Sequence, residues 1–200
     1  MTVRNPFTPT FGVDPPLLAG RDAEVAAIRR ALANGPGDPA RAALLTGARG
    51  AGKTVLLNAV ERHARDQRWA VVSTTMRPGA LAELTETILP RLLNAVAKDQ
   101  TTVTGASVSV LGIGGGITRT AHEAYPGKPS FRSELEDLAT LQQRTGGGVF
   151  ITLDEVQRGA PDDLREVFHA IQHCFRQGLE VAFVAAGLPS AVSNLLNDEV

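Results

Sequence analysis

The most demanding chemistry in this 200-residue chain lies in Gly47-Ala48-Arg49-Gly50-Ala51-Gly52-Lys53-Thr54. The spacing is G-x-x-x-x-G-K-[ST], set between an apolar run, Ala42-Ala43-Leu44-Leu45, and a helical pattern through Leu57, Val60 and Ala64. Gly47, Gly50 and Gly52 permit positive φ and close backbone approach, so successive N–H groups can point at a polyphosphate. A helix starting near Lys53 adds its positive dipole end and the unpaired amides of its first turn, among them Thr54 and Val55. Lys53 can reach the β- and γ-phosphates, and the Thr54 hydroxyl can sit on Mg²⁺. Arg49 either touches phosphate or points to solvent, and the second reading is preferred. A plain glycine turn would need none of this company, so the stretch implies a nucleoside triphosphate ligand.

A second pair of groups matches it. Val149-Phe150-Ile151-Thr152-Leu153 reads as a buried strand that runs directly into Asp154-Glu155. Asp154 can hold the Mg²⁺ shell together with Thr54, and Glu155 can orient and deprotonate the attacking water. Lys53 and Glu155 are therefore the expected catalytic residues. Taken alone, an apolar strand ending in two carboxylates is equally a solvent-facing acidic turn. The phosphate loop about a hundred residues earlier is what favours chemistry.

The elements that must position these groups alternate. A helix opens at Asp22, a candidate cap, carries Val25, Ile28 and Leu32, and stops at Asn34-Gly35-Pro36-Gly37. Strand 42–46, the loop and a helix to about Asp66 follow, then a strand over Trp69–Thr75. A helix is expected over Gly79–Lys98, with Pro90 kinking it or starting a fresh turn. Helices over Pro129–Arg144 and Pro161–Gln177, a strand over Val181–Ala186 and a last helix from Pro189 to Leu196 complete the pattern. Strands alternating with helices predict a three-layer α/β/α fold on a mainly parallel sheet. Residues 1–17 read as an extended, proline-rich lead-in. Residues 101–120 are uncharged apart from Arg119, with Ala106, Val108 and Val110 alternating with Ser107 and Ser109 before a glycine cluster. They read as an inserted β-hairpin, and as a surface for a protein partner or self-association.

Composition excludes several classes. A net charge of −1 gives no global case for nucleic acid or anionic membrane as partner, and no basic patch is evident, although DNA stays open. Hydrophobic content of 43% with no apolar run of membrane-spanning length fits an ordinary globular protein. Cys174 is the single cysteine, which rules out an internal disulfide framework and fits a reducing compartment; cytoplasm is the expected location. His169, His173 and Cys174 have helical spacing that can bind zinc, but position 170 is alanine, and a packed helix face is favoured. A GTPase would need an N-K-x-D base reader and an ABC transporter ATPase an L-S-G-G-Q stretch; the sequence has neither.

With those residues in place the chain resembles an AAA+-type P-loop ATPase of the additional-strand, catalytic-glutamate branch, similar to bacterial ATP-binding proteins related to STAND and origin-recognition-like groups. Leu18-Ala19-Gly20-Arg21-Asp22-Ala23-Glu24 matches the GRxxE segment, Gly47–Thr54 Walker A and Val149–Glu155 Walker B. The resemblance spans about residues 17–190. It implies ATP and Mg²⁺ as cofactors and places Gly20 and Arg21 near the base. It also implies a polar sensor after the last strand, where this chain runs Ala185-Ala186-Gly187-Leu188-Pro189 and first offers a hydroxyl at Ser190. A fifth core strand, an arginine finger and a helical lid are expected beyond Val200, which reads the chain as a core ending before its lid. The expected function is Mg²⁺-dependent ATP hydrolysis; the alternative is a nucleotide-dependent switch or scaffold with little or no turnover that binds a partner protein or DNA.

Overall fold

Helix α1 (Asp22–Asn34) buries Val25, Ile28 and Leu32 at helical spacing and ends where Gly35 takes a φ of +90°. The expected Asp22 cap is not made. Arg21 occupies the capping position and Asp22 is the first helical residue, where its carboxylate still favours the positive end of the helix dipole. The chain passes through a 3₁₀ turn (Pro39–Arg41) into β1 (Ala42–Thr46), then the glycine loop, α2 (Lys53–Asp66) and β2 (Ala70–Thr75). The structure, a computed structural model, describes residues 20–103 and 129–189.

The next helix is interrupted. Segment α3 (Ala80–Glu83) widens into a π turn over Leu84–Ile88, in which the Leu89 N–H reaches back five residues to the Leu84 carbonyl. Helical order then resumes as α4 (Leu89–Val103). The disturbance expected at Pro90 is thus placed one turn earlier. Proline offers no N–H to the preceding turn and its ring crowds the carbonyl there, and the wider π turn makes that room. Helix α4 also outruns its expected end at Lys98 and takes up residues 101–103. The remainder of the hairpin expected over 101–120, the lead-in expected over 1–17, Ser190 and the helix expected to reach Leu196 lie outside the described residues.

Helix α5 (Phe131–Gln143) starts on a reciprocal capping box between Ser130 and Ser133. It leads to β3 (Val149–Asp154), a 3₁₀ turn (Val156–Arg158), α6 (Pro161–Arg176) and β4 (Val181–Gly187). Gly148 does more than end the run after α5: a Cβ there would stand 2.5 Å from the Glu180 carbonyl and 2.7 Å from the Trp69 ring. Among the described residues all strand pairings are parallel, in the order β1-β4-β3-β2.

Alternation across the sheet creates two apolar layers. Val149, Ile151 and Leu153 of β3, with Val181, Phe183 and Ala185 of β4, pack against α3–α6. Phe150 and Ala182, Val184 and Ala186 instead pack against Val25, Ile28, Leu56, Leu57 and Val60 of α1 and α2. The result is the expected three-layer arrangement. Cys174 lies in the first layer, and burial pushes its thiol pKa up to about 11, with Glu136 adding to the rise. Among the described residues no helix is long and apolar enough to cross a membrane.

Arg41 is one of the charged side chains buried in this scaffold. Arg41, 3% exposed, donates to the carbonyls of Ala31 and Leu32 at 2.8 and 2.9 Å, closing the end of α1. It also pairs with Glu180 and lies 5.0 Å from the centre of the Trp69 ring. Arg41→Met keeps the stem but strands these carbonyls and the Glu180 carboxylate. Urea denaturation is expected to show a loss of about 2–4 kcal/mol, and a loss within 0.5 kcal/mol, about the error of a neutral surface change, would show the pairing to be dispensable.

Candidate functional site

Parallel pairing sets the C-terminal ends of the strands along one edge of the sheet, with Thr46 opposite Gly187 and Thr75 opposite Asp154. Strand β4 lies between β1 and β3, so the glycine loop after β1 and the carboxylates after β3 flank the end of β4. Such an edge is where open α/β sheets present their ligand sites.

The loop meets part of its predicted geometry. Gly50 and Gly52 have φ of +78° and +77°, as a loop of inward N–H groups requires. Gly47 differs from expectation: its φ is not positive, and a Cβ there would make only ordinary contact with Ala51 at 3.4 Å. Ala51 N–H is spent on the Ala48 carbonyl at 3.3 Å. Helix α2 makes its first i→i−4 bond from Leu56 N–H to Gly52, so the amides of Lys53, Thr54 and Val55 stand ahead of the ladder. Lys53 folds its ammonium onto the loop, 2.8 Å from the Gly47 carbonyl and 2.9 Å from that of Ala48. Arg49 is exposed.

Thr54 and Asp154 are brought together: the Thr54 hydroxyl donates to Asp154 Oδ2 at 2.6 Å. Alternation along β3 explains the meeting. Phe150, Thr152 and Asp154 share the face toward α1 and α2, so a strand residue two steps beyond Thr152 must present itself to the first turn of α2. Helical spacing places Thr54, Leu57 and Glu61 on one stripe of α2, and these residues with Ser73, Thr74, Thr75 and Asp154 line an open polar cleft of about 280 Å³.

Glu155 leaves the strand. Its backbone is left-handed, φ +51° and ψ +44°, an uncommon state for a non-glycine residue. Local bonds hold it there, with Glu155 N–H donating to Asp154 Oδ1 at 2.8 Å and the Glu155 carbonyl accepting from Arg158 N–H at 2.8 Å. Its carboxylate accepts from the Gln157 side-chain amide. Arg21 also joins the site: its guanidinium donates to the Ala51 carbonyl at 3.1 Å and to Glu24 at 3.0 Å. Next to it opens a cleft of about 210 Å³ lined by Arg21, Glu24, Leu44, Leu45, Thr46, Lys53 and Leu56. Gly20, at φ +74°, begins the described chain beside Arg21.

Two residues were not anticipated from sequence. Glu61, 6% exposed, accepts at one oxygen from Ser73 and Thr152 at 2.7 and 2.5 Å and at the other from Arg65 at 3.0 Å. Gln157 is the other. The available signals were a threonine inside an apolar strand and an acidic residue seven positions after Thr54. His173, considered for zinc, instead stands 3.3 Å from Glu136 between α5 and α6.

The sequence model of the AAA ATPase domain family matches residues 17–184. The chain belongs to that family. Among curated proteins none matches the sequence. Of solved structures, Cdc6p from Pyrobaculum aerophilum is similar over 92% of this chain and 43% of its own, at 20% identity and a TM-score of 0.52. The ORC2 protein of Aeropyrum pernix, solved in ADPNP and ADP complexes, is similar over 96% of this chain and 46% of its own, at 19% identity and a TM-score of 0.52. The chain thus spans less than half the length of either, and at such identity the likeness shows the shared fold alone.

The polar tie below the site has a measurable consequence for the AAA fold. Removing Glu61 strands the buried Thr152 hydroxyl and leaves a gap beside Leu57. For Glu61→Ala the expected loss in denaturant titration is about 2 kcal/mol, whereas Arg65→Ala, at the exposed end of the pair, should cost well under about 1 kcal/mol. Equal losses would mean that the ion pair, not the hydroxyl tie, carries the effect.

Proposed function

We propose that this AAA domain binds ATP with Mg²⁺ and hydrolyses its terminal phosphoanhydride. The observation that carries the reading is the Thr54–Asp154 contact, which sets a hydroxyl and a carboxylate side by side at the mouth of a glycine loop. Both are hard oxygen donors of the kind Mg²⁺ takes with one or two carboxylates and substrate phosphates, so the residues present fit the ion. When bound, Mg²⁺ neutralises charge developing on the phosphate oxygens.

The chain's own groups divide the remaining work. The amides of Gly50, Gly52, Lys53, Thr54 and Val55 bind phosphate oxygens at the positive end of α2. Lys53 has three N–H donors, two of them on loop carbonyls, and its third is free to reach the transferred phosphoryl. Glu155 accepts a proton from the attacking water with the carboxylate oxygen that Gln157 leaves open. The base end of the nucleotide is assigned to the cleft beside Arg21 and Gly20, where Leu44, Leu45 and Leu56 supply apolar surface. Hydrolysis proceeds by in-line attack of water on the γ-phosphorus, with ADP leaving and one proton released through Glu155.

Steady-state turnover and analogue binding, measured with Mg²⁺ and again with excess chelator, test this. Glu155→Gln is expected to lower kcat about 10²–10⁴-fold while leaving ATP affinity within about threefold, as loss of a general base does. Lys53→Ala should lose both binding and turnover, and chelation should stop turnover of the wild type. Equal rates for wild type and Glu155→Gln would remove Glu155 as the base. Tight ATP binding without turnover in the wild type would replace the ATPase by a nucleotide-dependent switch.

A further inference from the structure

The geometry points to Gln157 as a positioning residue that holds the Glu155 carboxylate and ties it to the chain leaving β4. The inference rests on the assignment of Glu155 as the base. Gln157 lies two residues past Glu155 in the 3₁₀ turn, and its amide is used at both ends. The side-chain NH₂ donates to Glu155 Oε2, and the side-chain oxygen accepts from the Leu188 main-chain N–H at 3.2 Å. The two partners fix the orientation of that amide. A carboxylate only accepts and a backbone N–H only donates, so the flipped rotamer would fail at both ends.

The packing around the amide is close enough to hold it. Gly187, the last residue of β4, has no side chain, and a Cβ there would fall 2.5 Å from Val156 Cγ2 and 3.1 Å from Gln157 Oε1. Val156 is 1% exposed, so the turn that carries Gln157 is anchored in the core. Main-chain bonds hold Glu155 in its left-handed backbone state, and the Gln157 amide is the partner that meets its carboxylate. The clasp leaves one carboxylate oxygen for water and makes the other's position depend on the segment that begins at Leu188. A shift of that segment moves Leu188 N–H, then the amide, then the base.

The test uses Gln157→Leu, similar in volume and unable to make either bond, with Gln157→Asn, which keeps an amide on a stem one carbon too short to span both partners. Both are expected to lower kcat at least tenfold with KM and the affinity for a non-hydrolysable ATP analogue changed less than threefold, and with the thermal midpoint retained. A purely structural role would move affinity and midpoint together with rate. Independently of turnover, amide exchange at Leu188 is expected to quicken at least tenfold in Gln157→Leu, and also to quicken in Glu155→Ala, because the far end of the clasp is lost. Turnover of Gln157→Leu within twofold of a hydrolysing wild type would overturn the inference and leave the ATPase intact. A wild type without turnover would sink the ATPase instead, and the clasp would then stand or fall on Leu188 exchange: unchanged exchange in both variants overturns it.

Discussion

The hydrogen bond from Thr54 to Asp154 joins stretches one hundred residues apart, and most of the fold can be understood as what is needed to close it. Thr54 is fixed by being in the first turn of α2, directly after a loop whose positive φ at positions 50 and 52 glycine adopts without steric cost. Asp154 is fixed by strand parity, two steps beyond Thr152 and four beyond Phe150 on the face toward α2. Neither residue reaches the other unless β3 and α2 are packed in one register. Phe150 supplies that packing on the apolar side, in the same layer as Leu56, Leu57 and Val60. Glu61 supplies it on the polar side by gripping Thr152.

The use of a carboxylate there has a physical logic. An apolar contact between α2 and β3 tolerates sliding, since dispersion and burial carry little direction. A buried carboxylate accepting two hydroxyls at one oxygen has a narrow geometry and a high cost of being wrong. It therefore sets the register between helix and strand more sharply than another leucine would. Arg41 acts in the same way at the opposite end of the sheet, where it ties the end of α1 to Glu180 and Trp69. One polar tie lies near each edge of the strands, and apolar side chains fill the space between.

The sequence made the periodic parts of this architecture legible. β1, α2, β3 and α6 fall within a residue of their expected bounds, because apolar spacing and breakers at Gly47–Gly52 and Pro161 act locally. The loop and the Asp154 end of β3 stand out in the sequence because their residue types fall at the fixed spacings that the proposed phosphate site needs. What was missed depends on contacts between distant segments. Glu61 looks like a solvated helix residue until β3 brings Thr152 against it, and Gln157 looks like turn filler until Leu188 arrives. Local propensity favours Asp22 as a cap, but Arg21 takes the position and spends its side chain on Glu24 and the Ala51 carbonyl. Pro90 predicts a disturbance at its own position, but the relief falls on the preceding turn, over Leu84–Ile88, which a pattern at one residue does not reveal.

Asp154 and Glu155 pose a final constraint, because consecutive strand residues point to opposite faces. Had β3 continued regularly, a carboxylate at Asp154 facing α2 would have sent Glu155 toward the layer of Leu153, Ile151 and Phe183, where an unpaired charge is costly. A left-handed residue at Glu155 breaks the alternation at the one point where it would do harm. The cost of that conformation is of order 1–3 kcal/mol, within reach of the bonds from Asp154, Arg158 and Gln157 that surround it. Two adjacent carboxylates can then take different tasks only because the strand ends between them. On this argument the left-handed backbone, Gln157 and the bare Gly187 form one device, and a change at any of them should be felt at the carboxylate before it is felt in the core.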